Sequence, residues 1–170
     1  MDDKIIIFKT NNADTRSADN DVTKEELFAE TSSHISDVKN VGNWLAYKLQ
    51  GQVLDHDYTK IEYIDEFYND FSEVLKSEDK NFKDMPWFKE RHLKERHHLN
   101  DSVPEDVNLI DVLEMVIDCT VAGLARSGDV YDINIPQDVL KKAIDNTKDL
   151  IIANTRVVEG NLSDIDDEIQ

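Results

Sequence analysis

The stretch LIDVLEMVIDCTVAGLAR, residues 109–126, decides the fold. At 100° per residue its apolar side chains fall nearly all round the helix axis, the pattern of a helix buried in the middle of a domain. The exceptions are Asp111, Glu114 and Asp118, spaced i, i+3 and i+7 and therefore on one face. A buried helix with an acidic stripe calls for a cation or a wet cleft. Asp118 reads as the most interior of the three and as the best ligand. Ser127-Gly128-Asp129 ends the helix.

Working outward, the remaining elements are also helical. Thr23 with Glu26 three residues on is a capping-box signal, so a helix starts near Lys24. Val38, Val41, Leu45 and Leu49 carry it to about Gln50, with Gly51 as the stop and a break expected at Thr31-Ser32-Ser33. QVLDHD, 52–57, is a junction. A further helix runs from Thr59 to Leu75, one opens at Pro86 in the first-turn position, and the last runs from Pro136 to about Val158. Ile5 to Phe8 is β-prone, and NNADTRSADND, 11–21, reads as a mobile linker. The acidic 159–170 lacks apolar periodicity and reads as a disordered tail. The expectation is an all-α bundle of five to six helices over 23–158, preceded by an N-terminal strand or arm over 1–22.

Composition narrows the function classes. With 19 basic and 37 acidic residues the net charge is −18, so bulk attraction to nucleic acid or anionic lipid is disfavoured. One cysteine, Cys119, provides neither a disulfide framework nor a cysteine zinc cluster. The apolar run at Ile5–Phe8 is too short for a signal segment, and no run approaches membrane-spanning length. These features point to a soluble cytoplasmic protein. A homodimer is one of the assemblies left open.

The chemistry-bearing residues are five histidines, His34, His56, His92, His97 and His98, with Asp57 directly after His56. Neutral imidazole with carboxylate suits Mn, Fe, Co, Ni or Zn. His34 shares the stripe of Val38 and Val41 and so reads as core-facing, where an unpaired imidazole is costly. Lys89, Arg91, Lys94 and Arg96 form a basic island in the acidic chain, able to draw in a phosphate. In one unbroken helix His92, His97 and His98 would fall about 140° and 240° apart from the first, so a shared centre needs a break after about Lys94. His92 and one of His97 and His98 are then ligands, with the other supporting them.

The order His34…His56-Asp57…Asp118, with the added histidine cluster, resembles the HD-domain superfamily of metal-dependent phosphohydrolases over roughly residues 25–155. HDYTK is similar to the HDxGK of the HD-GYP branch, with Thr59 in place of its glycine; HHLND resembles that branch's HHE motif, with no GYP tripeptide present. The pattern looks closest to small HD-like proteins of phages and bacteria, which would place it in a bacterial host cytoplasm if of phage origin.

The resemblance implies one or two divalent ions on His34, His56, Asp57, His92, His97 or His98, and Asp118. It implies attack of a metal-bound water on a nucleotide or related phosphoester, with Lys60, Arg91, Lys94 and Arg96 facing phosphoryl oxygens. The competing class is a non-enzymatic acidic interaction protein, a phage-type inhibitor of a host factor on an HD-like scaffold. A pyrophosphatase of the MazG type, with Glu62, Asp65, Asp111 and Glu114, leaves the histidines unexplained.

Overall fold

The computed structural model describes residues 4–130 and 132–159. It is mostly helical, with one small sheet. The elements are β1 Ile5–Phe8, α1 Lys24–Leu54, α2 Tyr58–Glu62, α3 Ile64–Leu75, α4 Pro86–Glu90, α5 Leu109–Ser127, α6 Gln137–Ala153 and β2 Thr155–Val158, with three short 3-10 turns. The chain divides into two compact units: residues 1–47 with 148–170, and residues 48–147. No helix among the described residues is long and apolar enough to cross a membrane.

In the first unit, β1 and β2 pair in parallel with Ile5 opposite Thr155 and Phe8 opposite Val158. The last helix therefore stops at Ala153 rather than near Val158. The β-branched Thr155, Val157 and Val158 suit a strand once Ile5–Phe8 supplies a partner. Phe8 is buried, and its N–H donates to Asp37 Oδ2 at 3.2 Å. Burial raises the Asp37 pKa, opposed by that hydrogen bond and by His34. The 11–21 segment is tied down: Asn12 bonds Glu30, and Ser17 Oγ donates to the Asn11 carbonyl. The tail over 160–170 lies outside the described residues.

The Thr23–Glu26 capping box forms as the spacing predicts. The expected break at Thr31-Ser32-Ser33 and stop at Gly51 do not appear; α1 is continuous to Leu54. Serine and glycine cost a helix only tenths of a kcal/mol to ~1 kcal/mol each and forbid nothing sterically. The left-handed residue that closes the chain is instead Asp57, at φ 56°. His34 and Val38 are exposed, so the reading of that stripe as core-facing is corrected.

The second unit is built on Leu99, Val107, Val112, Met115, Val139 and Ala143, with Leu109, Cys119 and Ile135 against them. An Asn108–Asp111 capping box opens α5, and Gly128 at φ 80° closes it. Two expectations for α5 are reversed. It is not apolar-buried all round: Leu113, Ile117, Val121 and Leu124 are exposed. Nor is Asp118 the most interior acid, since Asp111 and Glu114 are buried at 0% and 3% exposure and Asp118 is half-buried. The expected 59–75 helix breaks at Tyr63 into α2 and α3.

Met115, 4% exposed, sits in the middle of this core. Met115→Ala is expected to lower unfolding free energy by about 2–5 kcal/mol. Urea denaturation followed by circular dichroism measures it; a loss below about 1 kcal/mol contradicts this placement of α5.

Candidate metal centre

The site lies in the second unit, where the end of α1, the 56–60 turn, the 91–98 segment and α5 meet. Its centre is the buried carboxylate of Glu114. Oε1 lies 2.9 Å from His56 Nδ1 and 3.1 Å from His97 Nδ1, and Oε2 accepts from Gln52 Nε2 at 2.7 Å. The His97 contact is close but poorly aligned, so that Nδ1 lacks a well-formed hydrogen bond. Burial works against ionising Glu114, yet His97, His56 and Gln52 together hold its pKa down at about 2. Burial also opposes charge on His97, and Glu114 outweighs it, so the His97 pKa is raised.

With Nδ1 of each ring turned to Glu114, the Nε2 atoms face the other way. His56 Nε2 is 3.5 Å from Asp57 Oδ2 and 3.5 Å from Asp118 Oδ1; His97 Nε2 is 3.8 Å from Asp57 Oδ1. Asp57 Oδ1 is buried and accepts no hydrogen bond. A buried carboxylate oxygen with no hydrogen bond, beside imidazole nitrogens, has lone pairs that a cation could use, while Oδ2 is taken by Lys60. Tetrahedral ligands ~2.1 Å from an ion stand ~3.4 Å apart, close to these separations. Imidazole nitrogen with carboxylate oxygen is a donor set that could hold a metal ion. Two groupings of ligand atoms lie within 4.8 Å: His56, His97 and Glu114, and Asp57, His97 and His98. In the first, Glu114 Oε1 lies 2.9 and 3.1 Å from the two Nδ1 atoms, close enough to orient the rings or to share an ion with them.

Local structure fixes Asp57. Its left-handed backbone starts α2, a conformation aspartate tolerates better than most residues. Lys60 donates to its Oδ2 from one turn on. Burial opposes ionisation of Asp57, but Lys60, with His56 and His92, lowers its pKa. The Thr59 N–H donates to Glu95 Oε1 at 3.0 Å, which pins the start of α2 to the 91–98 segment.

That segment breaks earlier than the sequence requires. α4 ends at Glu90, and His92–Lys94 is a 3-10 turn, which frees His97 and His98 from helical spacing. His92 is buried, stacked on Trp87 at 4.8 Å between ring centroids. Burial, then His98 and Lys60, hold its pKa at about 3; burial and His97 hold that of His98 at about 4. Both rings are neutral. His92 Nε2 meets His98 Nε2 at 2.9 Å, and His92 Nδ1 meets Thr59 Oγ1 at 3.0 Å. A lone pair on His98 Nδ1 therefore requires His98 Nε2–H to donate to His92, and His92 Nδ1–H to donate to Thr59. His92 Nε2 also lies 3.7 Å from Asp57 Oδ1.

The structure thus brings together His56, Asp57, Lys60, His92, His97, His98 and Asp118. It places His34 in the other unit, exposed on α1. Lys89, Arg91 and Arg96 of the basic island each pair with a carboxylate. Arg91 pairs with Glu66 and lies 4.4 Å over the Tyr63 ring. Lys94 is exposed. Arg96 grips Asp111 with two bonds of 2.7 and 2.9 Å and reaches Asp106. Sequence reasoning missed the roles of Glu114, Gln52, Thr59 and Glu95. Glu114 was signalled by its place on the acidic stripe, and Gln52 by lying four residues before His56. Nothing local marks Thr59 or Glu95. A cavity of about 220 Å³ opens beside His97, His98 and Asp118, walled by Phe88, Leu99, Met115 and Cys119. No family model, curated protein or solved structure matches the chain.

Asp111 also accepts from Gln52 and from the Asn108 N–H, so this wholly buried carboxylate holds the site's scaffold. Asp111→Asn leaves Arg96 with only the exposed Asp106 as a counter-ion. The expected cost is about 3 kcal/mol, the low end of the range for breaking a buried pair, because Arg96 keeps some water. Thermal and urea unfolding measure it. A cost below about 1 kcal/mol would show the pair to be a surface contact.

Proposed function

We propose that the protein is a metal-dependent phosphohydrolase of the HD type, acting on a nucleotide or related phosphoester. The observation that carries this reading is the buried, unpartnered Asp57 Oδ1 facing the Nε2 side of His56 and His97. His56, His97, Asp57 and Asp118 would hold one ion, and His98 with Asp57 would serve a second. Such an ion polarises a phosphoryl oxygen and lowers the pKa of a coordinated water toward ~7.

The chain's own residues do the rest. Glu114 keeps a proton on His56 Nδ1 and so presents the Nε2 lone pair to the ion. Thr59 and His92 fix the His98 proton in the same way. Lys60, already beside Asp57, is the cation placed to meet a phosphoryl oxygen. Arg91, Arg96 and Lys60 each already face a carboxylate; Lys60 is the one whose partner is Asp57 of the proposed centre, so it is the cation proposed to meet phosphate there.

One observation favours the second reading, an acidic interaction protein. Ile64, Tyr68, Phe71 and Leu75 form a helical stripe on α3 that is 46–73% exposed, flanked by Asp65, Glu66 and Glu73. That face suits a basic amphipathic helix of another protein.

Elemental analysis and turnover of nucleotides and p-nitrophenyl phosphate separate the two. The parent protein is expected to carry Mn, Fe, Co, Ni or Zn and to lose hydrolysis on chelation. His56→Ala with Asp57→Ala should abolish both metal and activity; full occupancy in that variant would sink the assignment. Lys60→Ala is expected to keep metal content and fold while lowering turnover ~10²-fold, with Lys60→Arg an incomplete rescue. Unchanged turnover in Lys60→Ala removes Lys60 from the chemistry. A metal-free parent indifferent to chelator favours the interaction protein.

A further inference from the structure

We infer that the outer face of α5 is an interface between two copies of this chain. The polarity of α5 is inverted relative to an ordinary surface helix. Its carboxylates turn inward, with Asp111 and Glu114 buried, while Leu113, Ile117, Val121 and Leu124 are 47%, 40%, 59% and 53% exposed. These four are spaced i, i+4, i+8 and i+11, one continuous face. A groove of about 140 Å³ extends that face to Val53, itself 37% exposed, and opens on His56, Glu114 and Asp118.

Charge selects the occupant. A molecule of net charge −18 repels its own copy wherever carboxylates line the contact. Between Val112 and Ala125 the only charged residues are Glu114 and Asp118, and both approach His56. Leu113, Ile117, Val121 and Leu124 therefore follow one another along α5 as an apolar stripe, and carboxylates reach the contact only where the groove opens on Glu114 and Asp118. A copy related by a two-fold axis would meet the same stripe, apolar against apolar, as an isologous contact requires. The exposed stripe on α3 lacks this property, because Asp65, Glu66 and Glu73 beside it would face their own copies. The α5 face with Val53 amounts to on the order of 400 Å² per copy, a small interface, so the dimer is expected to be weak and concentration-dependent. The inference does not depend on a bound metal or on hydrolysis.

Sedimentation equilibrium of the full chain in chelator, from about 5 to about 500 µM, reads it directly. The parent is expected to pass from monomer to dimer mass over that range. Val121→Glu with Leu124→Glu should stay monomeric with unchanged circular dichroism and melting temperature, since both side chains are already more than half exposed. As a second measurement, Val121→Cys in a Cys119→Ser background should cross-link under mild oxidation faster than Lys141→Cys in the same background. A parent that stays monomeric throughout overturns the inference. So does a doubly substituted variant that dimerises like the parent, or a Val121→Cys that cross-links no faster than the Lys141 control. A monomeric parent whose double variant melts early would assign the face to the chain's own first unit, which also overturns it.

Discussion

The site depends on one buried carboxylate. Glu114 holds Gln52, His56 and His97 together, and those residues come from two separate parts of the chain, 52–56 and 97. A carboxylate with 3% exposure is tolerable only if its lone pairs are used. Here they are used on the Nδ1 side of two rings, which sets the direction of the Nε2 side. The aim of the His56 and His97 rings follows from that choice, while Asp57 is placed separately by its left-handed backbone and Lys60.

Around it the same device recurs. Asp111 satisfies Arg96, Gln52 and its own helix N-terminus; Glu95 satisfies the start of α2; Thr59, His92 and His98 form a chain of contacts. The acids of the second unit are thus spent on orienting other groups. Phe67, Phe82 and Trp87 pack against one another, and Trp87 in turn stacks on His92. The low pKa values of His92 and His98 come first from this burial, and neutral imidazole is the form that binds metal.

Much of this was legible in the sequence, for identifiable reasons. The helices at 24, 86, 109 and 137 are announced by local signals: a capping box, a first-turn proline, and apolar periodicity. The gathering of His56, Asp57, His97, His98 and Asp118 was expected from their order. What could not be read was direction. Periodicity places Asp111, Glu114 and Asp118 on one face, but which of them is deepest depends on the crossing of Gln52 and Arg96, both remote in sequence. The apolar half of α5 looks the same whether it is covered or exposed. β2 was read as helix because its strand partner lies 150 residues earlier. The fold of Arg91 and Arg96 onto Glu66 and Asp111 likewise has no local signature.

The most direct test of the account is an anomalous-diffraction crystal structure of the protein soaked in Mn²⁺ or Co²⁺. The account places an anomalous peak within about 2.0–2.3 Å of His56 Nε2, His97 Nε2 and Asp57 Oδ1, with Glu114 still beside the two Nδ1 atoms. No peak there, or one on the Nδ1 side with Glu114 as a ligand, would contradict it.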